Sequence, residues 1–171
     1  IILSLIFWNY LKINVDINNK KKINSFLPLI FMLLIYIQII IGAFVSGMDA
    51  GKIYNSWPMM GNTYFPNDNN FDSLFKLSAF NDPSLVQFIH RNLAYLIIFL
   101  YIFIFFKVYK KKIHRLYRPL NILGLFIVLQ IFLGILTIIY GAQIYIASMH
   151  QISSIFLVSS SIYLFFLNSK N

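Results

Sequence analysis

Apolar residues in this chain come in runs of about twenty, separated by short polar or basic stretches and one long polar connection. At 1.5 Å rise per residue, a run of that length crosses the hydrocarbon core of a bilayer as a helix. The pattern predicts four complete spans, over about 26–47, 83–107, 119–141 and 145–167. Residues 1–12 form only about half a span and are read as a truncated transmembrane helix. A signal peptide is disfavoured there, because no basic segment precedes the stretch and no small-residue cleavage site follows it. Residues 13–25 form a basic linker. Pro83 suits the first turn of a helix, with Asn81 or Asp82 placed to cap it. The long connection from Met48 to Asp82 is rich in Asn, Asp, Gly and Pro, which predicts irregular backbone with short amphipathic pieces. The fold class is therefore all-α: an integral membrane four-helix bundle over 26–167 with a partial N-terminal helix.

Composition agrees, with 59% hydrophobic and 11% charged residues in a chain of 171. There is no cysteine, so disulfides and thiolate metal sites are excluded. The net charge of +9 might suggest nucleic acid on a soluble protein. Here eleven of the fourteen basic residues fall in or at the helix ends flanking the linker, the loop after the second span and the C-terminal tail, counting Lys12 and Lys107. Four of the five acids, Asp49, Asp68, Asp72 and Asp82, fall in the long connection. The positive-inside rule puts the basic side in the cytoplasm and loop 48–82 outside, periplasmic in a bacterial inner membrane. The charge is thereby explained by topology and lipid, with no nucleic-acid partner.

Two short segments repeat: Gln38-Ile-Ile-Ile-Gly42 in the first full span and Gln130-Ile-Phe-Leu-Gly134 in the third. Each outward span is followed by an inward span carrying a histidine, and membrane repeats commonly place a site between them. His90 and His150 each lie about 10 Å below the exterior end of their helices, at 1.5 Å per residue. Ionisable groups in a span need a partner or a function. Two imidazoles arriving at equal height from neighbouring co-directional helices are what bis-histidine ligation of a heme iron requires. Arg91, on a different face from His90, is placed to reach water or a heme propionate. The residues leave other readings open: histidines that merely bridge helices, as in a transporter or structural subunit, or a proton relay, although no Glu occurs in the chain and no Asp lies in a span. His114 sits in the basic loop and reads as solvated. Gln38, Gln87 and Gln130 read as interhelical hydrogen-bonding groups, and Gly42, Gly47, Gly134 and Gly141 as points of close helix approach.

Three stretches resemble the heme A synthase family, CtaA, and specifically its C-terminal half. They are Gly42-Ala-Phe-Val-Ser-Gly-Met-Asp-Ala-Gly-Lys-Ile-Tyr-Asn-Ser-Trp-Pro-Met-Met-Gly61, Asn81-Asp-Pro-Ser-Leu-Val-Gln-Phe-Ile-His-Arg91, and Leu133-Gly-Ile-Leu-Thr137 through Ser148-Met-His150-Gln151. The resemblance implies one half of an eight-helix protein built from two four-helix bundles, which oxidises heme O to heme A for cytochrome oxidase assembly. It implies that His90 and His150 ligate a resident heme b and that no catalytic residue lies in this half. The heme O substrate and the family's glutamate would belong to the N-terminal half; three residues before His90 stands Gln87. The partners implied are membrane lipid, heme O, heme O synthase or oxidase assembly factors, and a second copy in a homo-oligomer. A non-catalytic b-type cytochrome electron carrier is the competing reading. How the exterior loop covers the site, through Tyr54, Trp57, Pro58 or simple surface packing, stays open at this level.

Overall fold

In the computed structural model, which describes residues 2–15 and 21–169, five α-helices account for most of the chain. They are α1 (Ile2–Asn14), α2 (Phe26–Gly47), α3 (Pro83–Lys110), α4 (Tyr117–Ile139) and α5 (Ile144–Ser169). The last four lie in stretches long and apolar enough to cross a membrane, so the chain is an all-helical integral membrane bundle with an additional N-terminal helix. Part of the expected linker 13–25, including Lys20, falls outside the described residues, as does Lys170.

The helix ends follow local chemistry. Asp82 caps α3, its carboxylate accepting from the Leu85 amide at 2.9 Å, with Pro83 in the first turn. α3 continues to Lys110, three residues past the expected end. α4 starts at Tyr117 rather than 119, because a 3-10 turn over His114–Leu116 leads straight into it. Pro119 still falls among the first residues of the helix, whose amides have no intrahelical partner. α4 closes on Gly141 at φ 62°: the Gly141 amide donates to Ile138 and the Ala142 amide to Thr137. This pair of bonds satisfies the last carbonyls and needs a left-handed residue, which glycine supplies cheaply. The resulting tight turn sets α5 antiparallel against α4.

α2 packs against both α3 and α5, and α4 packs against α5 and more lightly against α3. The histidine-bearing helices α3 and α5 are therefore diagonal across the bundle, not neighbours as the sequence reading supposed. The reason is that the four spans alternate in direction and each packs beside oppositely running ones, which makes co-directional helices diagonal.

The buried apolar cluster fills only the half of the bundle nearest the basic loops. It runs from Phe31 and Ile35 on α2 through Ile97, Ile104 and Val108 on α3, Leu120, Leu123 and Ile127 on α4, to Leu157, Ile162 and Phe166 on α5. In lipid such a core holds by close packing rather than by exclusion of water. Asn168 seals this end: it donates to the Ile23 carbonyl at 3.2 Å and accepts from the Ile23 amide at 3.0 Å. α1 rests on α5 through Trp8, edge-on to Phe166, and on α2 through the Tyr36 hydroxyl, which donates to Ser4 at 2.7 Å.

Loop 48–82 spans the other end. It holds 3-10 turns over Ala50–Lys52, Phe71–Phe75 and Leu77–Asn81. Asn55 donates to the Ile138 carbonyl at the end of α4 at 2.9 Å, while Gln87 and Arg91 of α3 donate to the Tyr54 carbonyl. The loop is thus tied to two different helices.

Candidate functional site

One to two turns beyond the last core layer, toward the loop, the bundle interior turns polar. Gln38 follows Ile35 on α2, Gln130 follows Ile127 on α4, and His90 and His150 precede Ile97 and Leu157. Counted from the first residues of α3 and α5, the histidines lie ~10 Å and ~9 Å along their helices, so they are level.

Each ring is seated by an adjacent antiparallel helix, His90 by α2 and His150 by α4. A Cβ at Gly42 would lie 3.1 Å from Cε1 of His90, and a Cβ at Gly134 would lie 3.2 Å from Cε1 of His150. Gln38 donates through Nε2 to the His90 carbonyl at 3.0 Å, and the same nitrogen lies 3.2 Å from His90 Nε2. Gln130 donates to the His150 carbonyl at 3.1 Å and to Ser153 Oγ, and Ser153 in turn donates to the His150 carbonyl at 3.0 Å. The helix geometry explains the spacing. Side chains tilt toward the N-terminus of their helix, so on α3 and α5 the ring sits nearer the loop 48–82 end than its own carbonyl. On the antiparallel partner helix, glutamine therefore meets the carbonyl, and glycine one turn later meets the ring.

Nδ1 of His90 and Nδ1 of His150 are buried and have no hydrogen-bond partner among the described residues. Such an atom is costly in a membrane interior, and a neutral imidazole nitrogen is a metal donor. Among the described residues no three His, Asp or Glu side chains gather into a metal-binding group. Two imidazoles on opposite helices suit an iron whose other four donors come from a planar macrocycle, so the residues present fit a heme.

Arg91 is buried and turns toward the loop. Nη1 donates to the carbonyls of Ser56 (2.9 Å) and Met59 (3.2 Å), and Nη2 donates to that of Tyr54 (3.0 Å). No carboxylate pairs with it among the described residues, and its Nε is buried without a partner. Of the loop residues considered for covering the site, Tyr54 engages α3 through its carbonyl, and Trp57 donates to the Tyr95 hydroxyl at 3.2 Å while remaining half exposed. Pro58 is exposed. The Tyr54 hydroxyl donates to Asn67 and Asp68, and Asp68 also accepts from Ser84 at 2.6 Å. Partial desolvation works to raise the Asp68 pKa, but the bonds from Ser84, Tyr54 and Asn69 outweigh it and hold it below the ordinary value. Burial, reinforced by the same carboxylate, pushes Tyr54 up.

The sequence pattern identifies both histidines and pairs the two Gln-Gly segments, but it does not show that each segment touches a histidine. The usable signal is the identical four-residue spacing opposite each one. Gln87 as a loop anchor carries no signal of that kind.

A family model described as cytochrome oxidase assembly protein, COX15-CtaA, matches residues 1–162. A protein named heme A synthase from Pelagibacter ubique is 44% identical over 99% of this chain and 50% of its own length. Heme A synthases from Rickettsia felis and Rickettsia bellii are 36% and 37% identical over 98% of the chain and 51% of theirs. The chain thus spans about half the length of the curated relatives it matches. No solved structure matches it.

Proposed function

The chain belongs to the COX15-CtaA family of cytochrome oxidase assembly proteins, and from that premise we propose that it is the C-terminal, heme b-binding half of a heme A synthase. On this reading the whole protein oxidises a methyl substituent of heme O to the aldehyde of heme A for cytochrome oxidase, with the substrate heme held in the N-terminal half. The present bundle holds a resident heme b as an electron-transfer or structural centre. His90 and His150 would hold it through their imidazoles; when bound, the group supplies a one-electron iron couple. Arg91 keeps its Nη groups on the loop carbonyls and offers an un-neutralised positive charge to the heme carboxylates. The protein sits in a bacterial inner membrane, basic loops inward and loop 48–82 in the periplasm.

The observation that carries this reading is the level pair of imidazoles on diagonal helices, each seated on a glycine above a packed core. A reduced-minus-oxidised spectrum of the purified chain tests it. A b-type signal is expected in the wild type and is lost in both His90→Ala and His150→Ala. A colourless wild type rejects the heme, and a signal that survives both substitutions rejects these ligands.

A further inference from the structure

Resting on the heme reading above, we infer that Gln38 with Gly42 and Gln130 with Gly134 are two equivalent imidazole cradles, positioning residues that set the height and ring plane of His90 and His150. Three observations converge. In both halves the glutamine amide is bonded to the backbone carbonyl of the histidine, at 3.0 and 3.1 Å, which fixes the register of one helix against the other. In both halves the glycine lies under the ring, where an added methyl carbon would sit 3.1 or 3.2 Å from Cε1, inside the ordinary carbon–carbon contact of about 3.5–4.0 Å. The arrangement recurs on two separate helix pairs with the same Gln-x-x-x-Gly spacing, whereas Gly47, also near the exterior end of α2, has nothing within 4 Å of its notional Cβ.

A ring plane set this way bears on a bound iron directly. The orientation of axial imidazoles shapes the ferric low-spin signal and the reduction potential, while a helix bundle that merely packs well constrains neither. At His90 the Gln38 amide also meets the ring itself, 3.2 Å from Nε2. At His150 a second donor, Ser153, joins Gln130 on the carbonyl.

The test uses the heme-loaded chain with Gly42→Ala, Gly134→Ala, Gln38→Leu, Gln130→Leu and the control Gly47→Ala, read by ferric electron paramagnetic resonance, redox titration and heme retained per chain. Both glycine variants are expected to shift the low-spin g values and the midpoint potential. They should also lower heme retention by roughly two- to tenfold, the cost of forcing a ring off its rotamer. Gly47→Ala is expected to match the wild type. Should an alanine variant fail to give monodisperse protein, the leucine variants decide, since they remove the donor without adding bulk against the ring; they should shift the same g values. Unchanged g values and potential in the glycine and glutamine variants, on a wild type with an intact bis-imidazole signal, overturn the cradles while leaving the heme reading standing. A wild type with no heme signal overturns both.

Discussion

A guanidinium buried at the end of a membrane bundle must find acceptors, and Arg91 finds three carbonyls of one loop segment. Charge-assisted bonds of this kind contribute more than neutral ones, and removing the donor leaves three partly buried carbonyl bonds unmade. Arg91→Leu is therefore expected to lower stability by roughly 2–4 kcal/mol and to make loop 48–82 an early site of proteolysis. Arg91→Lys should fall between, because one ammonium cannot copy a planar fork reaching three oxygens. Thermal unfolding combined with limited digestion in detergent checks this, and an Arg91→Leu protein that melts and digests like the wild type would remove the loop-anchor role. From sequence, Arg91 was visible as a cation beside a histidine. Its acceptors were not, because they belong to a connection whose backbone path has no periodicity to read.

At the level of elements, α3 and α4 meet at Gly124, where a Cβ would collide with the Tyr101 hydroxyl oxygen and fall 2.9 Å from Cζ. That hydroxyl donates to the Leu120 carbonyl at 3.2 Å, tying the two helices together in the packed half. Gly124→Ala should displace the ring, lose the bond and cost about 1–3 kcal/mol by overpacking, read as a lowered melting temperature. Adding the second change Tyr101→Phe should recover part of that loss. No recovery would mean that the glycine serves some other contact. The existence of α2–α5 was legible because an apolar run of twenty residues has few other fates. Which glycines are occupied by a neighbour was not: Gly47 and Gly124 look alike in an apolar run, and only interhelical packing separates them.

For the whole molecule, charge asymmetry implies a fixed orientation. The chain contains no cysteine, so single-cysteine variants report sidedness without background. Asn62→Cys, in the exterior loop, is expected to react with a membrane-impermeant maleimide in intact spheroplasts. Lys111→Cys should react only after permeabilisation. The reverse pattern would invert the topology and put the histidine pair near the cytoplasmic surface. The asymmetry also matches the division of the bundle: the basic end is closed by a packed apolar core and Asn168, the opposite end by hydrogen bonds between loop 48–82 and helices.

Hydrophobic run length and the distribution of Lys and Arg determined the helix count and the expected orientation, because bilayer thickness and backbone hydrogen bonding leave a long apolar segment little choice. Position along a helix likewise determined the depth of His90 and His150, since rise per residue is constant. Tertiary structure alone decided that α3 and α5 are diagonal, that each histidine ring rests on a glycine of the helix beside it, and that Arg91 serves the loop. Those outcomes depend on helix rotation and interhelical register, which are set by side chains far apart in the chain meeting at contact distance, and a one-dimensional pattern carries no term for that.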